Sequence, residues 1–186
     1  MSNLSVVHRG RAWKFGDSVD TNQLAGGGLV GETAEQTLRI NCLRGLRPDF
    51  TEGVSEGDIL VAGTNFGCGS SRQTAVEALL LCGISAVLVE SVARINRRNT
   101  IALALPLFVI PGITELVGDG DTLSVDYPLR VVRNETTGAE QPLPQLPPSV
   151  EEIYEAGGLL QVIGARLARE GYLPPQPAPA AVKAHA

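Results

Sequence analysis

The sequence predicts an α/β fold, a mixed or parallel sheet with flanking helices. Three observations lead there. Ile59 to Ala62 is a short apolar run, and Gln73 to Cys82 is rich in helix formers without Gly or Pro. Ile84 to Val89 is a β-branched apolar run of the type buried on both faces. Strand, helix and strand in that order form a βαβ crossover. Strand-like pieces beyond residue 120 add a small antiparallel part.

Taken in order, Gly10 to Asp17 alternates briefly and meets a Gly-Asp break, which reads as a strand and then a loop from Ser18 to Gly31. That loop contains Gly26, Gly27 and Gly28 in a row, which suits either a flexible surface connection or a substrate-facing flap. Glu32 to Leu43 has helical spacing, with Thr33 as cap and Gln36 three residues on. Pro48-Asp49-Phe50 and Glu56-Gly57-Asp58 bracket a turn region. After the crossover, whose helix closes at Gly83, Ser91 to Ala104 reads as a helix stopped before Pro106, and Leu107 to Ile110 as a strand. Leu123 to Val125 and Leu129 to Arg133 read as strands, with a hairpin loop over Asn134 to Gly138. Gln141 to Pro148 reads as an extended connector, and Glu151 to Arg169 as a helix interrupted at Gly157-Gly158.

The length of 186 residues suits one domain, here placed at residues 1–170, with a Pro/Ala-rich tail at 171–186 expected to be disordered. Hydrophobic residues make up 44% and charged residues 19%, and no apolar run approaches about 20 residues, so a soluble chain is expected. The first residues lack a secretory pattern, which makes the cytoplasm the expected location. A net charge of −5 argues against a general nucleic-acid binder. Cys42, Cys68 and Cys82 are an odd set without a close pair, so no disulfide framework and no complete zinc or iron–sulfur ligand set is encoded. Cys42 and Cys82 read as small buried apolar residues. Nothing marks Cys68 as a nucleophile, since the two histidines, His8 and His185, lie near the termini.

The densest chemistry lies in Asn65-Phe66-Gly67-Cys68-Gly69-Ser70-Ser71-Arg72, between the first strand of the crossover and its helix. Two serines and an arginine placed at a helix start would present unpaired backbone N–H groups, a positive dipole end and a planar guanidinium fork to a carboxylate or phosphate. The same residues also satisfy an ordinary reading, with glycines for a φ > 0 turn, Ser70 or Ser71 as N-cap and Arg72 in solvent.

The order of elements, together with four blocks, resembles the small subunit of the isopropylmalate isomerase family, equivalent to the swivelling domain of aconitase-type hydro-lyases. The blocks are Trp13 to Thr21, Asp58 to Arg72, Glu90 to Ile95 with Asn99, and Glu155 to Leu159. The resemblance spans nearly everything from Gly10 to Arg169. It implies a three-layer β/β/α swivelling domain that works only with a separate large subunit. That partner would hold a [4Fe-4S] cluster through three cysteines of its own, leaving this chain without a metal. It further implies Ser70 as the general base that takes a proton from the carbon beside a carboxylate, with Ser71, Arg72 and Gly69 holding the hydroxy-carboxylate substrate. Asn22, Gly27, Gly28 and Leu29 fall where the family's first loop meets the substrate.

Several positions depart from the family pattern. Gln73-Thr74 replaces Glu-His, Asn22 replaces an aspartate, and Gly26 to Gly31 replaces a loop with a Tyr-Leu pair. Asn96 stands in place of an aromatic, followed by Arg97 and Arg98, which suit a solvated face, a docking face or a grip on an additional anionic arm. Three readings of function follow. The first is 3-isopropylmalate dehydratase in leucine biosynthesis, moving a hydroxyl by dehydration and rehydration. The second is a specialised hydro-lyase of dimethylmalate, homocitrate or methylcitrate type, and the third a non-catalytic regulatory subunit.

Overall fold

Residues 4–27 and 30–172 are described by a computed structural model. Strand β1 (His8–Lys14) stands at the centre of one seven-stranded sheet. On one side it is followed in parallel by β2 (Ile59–Ala62), β3 (Ala86–Val89) and β4 (Leu107–Val109). On the other side lie β5 (Thr122–Asp126), β6 (Val131–Asn134) and β7 (Glu140–Pro142), all antiparallel. The strand β1 changes partner along its length: His8 to Arg11 pair with β5, and Ala12 to Lys14 with β2.

Period-two alternation sorts the side chains of the parallel strands into two cores. Ile59, Val61, Ala86, Leu88 and Phe108 share a cluster with Leu123, Val125 and Val132 of the antiparallel half. The ring of Phe108 in the edge strand β4 stacks on Tyr127, just past β5, at 5.8 Å although three strands separate β4 from β5 in the sheet, so the antiparallel half curls back over that face. Leu60, Ala62, Val87 and Val89 face the opposite way, against Leu24, Phe50, Val76 and Leu79. The layers are therefore helix, parallel strands and antiparallel strands, in agreement with the β/β/α expectation.

The helical layer contains α1 (Thr21–Ala25), α2 (Ala34–Asn41), α3 (Phe50–Gly53) and α4 (Thr74–Leu81). The Thr33–Gln36 capping box at the start of α2 forms as the spacing predicts: Thr33 Oγ1 accepts from the Gln36 N–H, and Gln36 Oε1 accepts from the Thr33 N–H. Further on come α5 (Arg94–Ala102), α6 (Ile113–Leu116), α7 (Pro148–Ala156) and α8 (Leu159–Arg169). The break at Gly157-Gly158 is real, with Gly157 left-handed at φ 80° and Gly158 at φ 130°.

Four expectations are corrected. The segment from Ser18 to Gly31 is not all loop, because Asp20 caps α1 by accepting from the N–H groups of Asn22 and Gln23 while Gln23 returns a bond to Asp20. The turn at Pro48 to Phe50 continues into the short helix α3. The expected connector from Gln141 includes part of edge strand β7, whose Pro142 needs no ladder donor there, and α7 begins earlier, at Pro148. Finally, the crossover helix begins at Thr74, with Gln73 as cap, so Ser70 to Arg72 precede it instead of forming its first turn. Gly28, Leu29 and the tail from residue 173 lie outside the described residues.

Candidate active site

The loops leaving the carboxyl ends of β1, β2 and β3 are laced together, the place where open parallel sheets collect ligands. The loop after β2 runs down the middle. Its Gly63 N–H donates to Gly16 O at 3.1 Å, Thr64 N–H to Asp17 Oδ1 at 2.6 Å, and Gly67 N–H to Val19 O at 2.7 Å. Towards the β3 loop, Phe66 N–H donates to Ser91 O at 3.0 Å and Asn65 N–H to Ser91 Oγ at 2.8 Å. Ala93 N–H closes the far side on Phe66 O at 2.8 Å. Ser18 and Asn65, which meet through an Asn65 Nδ2 to Ser18 Oγ bond of 3.3 Å, both hold left-handed backbones at φ 56° and 58°. Such conformations persist only where the surroundings enforce them, and they concentrate at functional sites.

This lacing delivers Ser70. Its N–H donates to Thr21 Oγ1 at 2.8 Å, and Thr21 N–H donates to Cys68 O at 2.9 Å. Gly69 must be glycine here: it sits at φ 109°, and a Cβ would press on Thr21 Oγ1. On the other flank, Asn99 of α5 donates from Nδ2 to Ser71 O at 3.1 Å and Arg72 O at 3.3 Å. These two grips hold residues 70–72 as a non-helical strip ahead of α4, which is the physical reason the helix starts late. The expected cradle of helix N–H groups is accordingly not what these residues build. The Ser70 N–H is taken by Thr21, and the Arg72 N–H points to Ser70 Oγ at 3.3 Å.

The strip instead presents side chains. Ser70 is half-buried, Ser71 and Arg72 are exposed, and Arg72 Nε donates to Ser70 Oγ at 3.3 Å. A permanent cation aimed at a hydroxyl oxygen favours its ionised form. Cys68 is half-buried with Sγ 3.9 Å from Ser18 O, while Cys42 and Cys82 are buried in the helical core. Among the described residues no group of three or more His, Cys, Asp or Glu is arranged to hold a metal ion, and no helix is long and apolar enough to cross a membrane.

Glu90, just past β3, ties the end of that strand to the start of α6. Its carboxylate accepts from Gly112 N–H at 2.7 Å, Thr114 N–H at 2.9 Å and Thr114 Oγ1 at 2.7 Å. Burial works to raise its pKa, but these bonds prevail and hold it below the ordinary carboxylate value. Asn22 and Gly27 line a cleft of about 410 Å³ bounded by α1 and the segment after α2, and Asn22 directly follows Thr21, whose Oγ1 accepts the Ser70 N–H. Arg44 also lines that cleft, and sequence reasoning passed over it. The Asp20-Gln23 cap, spaced like Thr33-Gln36, was the signal that would have located α1 and hence this wall. Arg97 and Arg98 lie exposed on α5, whereas Asn96 is 1% exposed beneath the Gly67 turn.

Residues 48–109, which carry the loops after β2 and β3, match the aconitase C-terminal domain family, and this sets the class of fold. Relatives extend the match across the chain. The 3-isopropylmalate dehydratase small subunit 1 of Methanopyrus kandleri is 45% identical over 157 residues, 84% of this chain and 92% of that one. The isopropylmalate/citramalate isomerase small subunit of Methanocaldococcus jannaschii is 42% identical over 165 residues, 89% and 98% of the two chains. A crystal structure of 3-isopropylmalate dehydratase from M. jannaschii superposes with a TM-score of 0.82 at 35% identity, covering 89% of this chain and 98% of that one. The chain belongs to the 3-isopropylmalate dehydratase small-subunit family of the aconitase superfamily.

Proposed function

We propose that this chain is the small subunit of a cytoplasmic 3-isopropylmalate dehydratase, catalytic only when docked on a large subunit. The partner's [4Fe-4S] cluster would supply Lewis-acid activation of the substrate hydroxyl. In this reading Ser70 Oγ takes the proton from the carbon next to a carboxylate. Arg72 stabilises the Ser70 alkoxide that precedes this step, Oγ becomes a neutral hydroxyl as the C–H electron pair passes into the substrate, and Arg72 with Ser71 offers hydrogen bonds to the carboxylate oxygens. Gly69 lets the strip approach the substrate without a side chain in the way. Because the strip is open to solvent on this chain, docking must exclude water before so weak a base can work.

The observation that carries the reading is the convergence of Arg72 Nε and Arg72 N–H on Ser70 Oγ, with the Ser70 backbone pinned to Thr21. Ser70→Ala in the reconstituted pair should abolish turnover of 3-isopropylmalate while the two subunits still co-purify. Turnover surviving in a correctly assembled Ser70→Ala complex overturns the assignment.

A further inference from the structure

The fold brings together two cysteines that the chain keeps far apart. Cys42 caps the C-terminal end of α2 and Cys82 that of α4, and these two helices pack against each other. Arg39 O accepts from the Cys42 N–H at 3.2 Å and lies 3.8 Å from Cys82 Sγ, so one carbonyl draws both residues to the same point. There the two thiols are hydrogen-bonded to each other, inside the helical core. Neither sulfur has a part in the chemistry assigned to Ser70.

The pair is asymmetric. Cys42 is fully buried, whereas Cys82 keeps 4% of its surface open. The hydrogen bond from Cys42 holds the Cys82 thiol below its usual pKa, with the charge of Arg39 adding to this and burial opposing it. Cys42 shifts the other way, well above its usual value, because its proton is shared with the Cys82 sulfur and because it is buried. A sulfur that ionises more readily and touches solvent, beside one that keeps its proton, is the arrangement of an attacking thiol and its resolving partner.

We propose that Cys42 and Cys82 are a redox-active pair that closes to a disulfide when Cys82 meets a hydroperoxide, stapling α2 to α4. With hydrogen peroxide, Cys82 Sγ attacks one oxygen: the S–O bond forms, the O–O bond breaks, and the leaving hydroxide takes up the Cys82 thiol proton as water. Cys42 then loses the thiolate that held its proton, and its Sγ attacks Cys82 Sγ. The S–S bond forms, the S–O bond breaks, and the departing hydroxide leaves as a second water with the Cys42 proton. The two thiols give up two electrons, and the peroxide is reduced to two waters. The new bond closes residues 42–82 into a loop that contains β2, the Ser70 strip and α4, which restricts the unfolded chain far more than the folded one. In a reducing compartment such a bond is transient, which suits a peroxide-responsive brace and not a permanent disulfide.

The test uses the full chain. Trypsin places the three cysteines in separate peptides, 40–44, 45–72 and 73–94, because Arg47 precedes a proline. After treatment with hydrogen peroxide and alkylation of the remaining thiols under denaturing conditions, peptides 40–44 and 73–94 should appear as one linked species that dithiothreitol splits. This map is read on the wild-type chain, so it decides the outcome even where a variant fails to fold. The oxidised protein should melt about 5–15 °C above the reduced one, and Cys82→Ser should abolish both the link and the shift. In Cys42→Ala, where nothing resolves it, the Cys82 sulfenic acid should be captured by dimedone. The proposal is overturned if Cys42 and Cys82 are both recovered alkylated, if either links to Cys68 instead, if the link forms without raising Tm, or if dimedone leaves Cys82 of Cys42→Ala unlabelled.

Discussion

The Ser70 N–H donates to the side-chain oxygen of Thr21 at 2.8 Å, tying the proposed base to a helix that arises from a different strand. Thr21 is buried, at 4% exposure, so its oxygen has little water to turn to. Thr21→Val keeps the shape and deletes the acceptor. It should cost about 1–3 kcal/mol of stability and lower kcat of the assembled enzyme by about 10- to 100-fold through misplacement of Ser70. Thr21→Ser should restore most of the rate. A valine variant with wild-type kcat would show that Ser70 does not depend on this tether.

Asn96 makes an independent prediction. Both of its side-chain polar atoms are buried without a hydrogen-bond partner among the described residues, directly beneath Gly67, where a Cβ would fall on the amide. Leaving such a group unpaired is costly, and an apolar residue of similar volume removes that cost. Asn96→Leu should therefore stabilise the protein by about 1–2 kcal/mol, seen as a rise in Tm of about 2–8 °C. A fall in Tm would mean that the amide is satisfied and that the Gly67 turn needs it.

What the chain revealed in advance follows a physical division. Local signals were readable: the βαβ crossover from its apolar runs, and α2 from the Thr33–Gln36 box. The motif from Asn65 to Arg72 was recognisable as the site's centre, but its conformation was not. Asn99 and Thr21, at sequence separations of 28 and 49 residues, hold the strip out of the helix, and no local propensity encodes such grips. Arg44 escaped notice because its placement depends on a left-handed Leu43, a conformation that a leucine gives no sign of adopting. The burial of Asn96 was hidden likewise, in a run of charged residues that reads as a solvated face.

Asp58 anchors the start of β2 to β1 and should be among the costliest residues to truncate. Its buried carboxylate accepts from Trp13 Nε1 at 2.8 Å, Ser55 N–H at 2.9 Å and Arg11 N–H at 3.1 Å. Asp58→Ala orphans all three donors and should cost about 3–5 kcal/mol, whereas Asp58→Asn, which retains one acceptor oxygen, should cost about 1–2 kcal/mol. Urea unfolding followed by the fluorescence of Trp13, the only tryptophan, measures both. Equal losses in the two variants would refute the idea that the donors, and not the charge, set the cost.

Tyr154 couples stability to alkaline pH. It fixes α7 to the sheet, 1% exposed, with its hydroxyl oxygen accepting from Leu107 N–H at 3.4 Å. Burial pushes its pKa up to about 12, and the Leu107 bond and the charge of Arg97 only partly offset this. In the unfolded chain a tyrosine ionises near about 10, so the folded value is the higher of the two. The contribution is thus fully present below about pH 10 and is lost as pH rises towards about 12, because the unfolded state sheds its proton first. The loss should reach roughly 2–3 kcal/mol, and Tyr154→Phe should remove that part of the slope at little cost beyond one long hydrogen bond. Unfolding free energies of both proteins at about pH 9 and about pH 11.5 provide the comparison, in which other titrating groups cancel. Parallel declines in the two proteins would show that Tyr154 ionises as readily in the folded state as in the unfolded one.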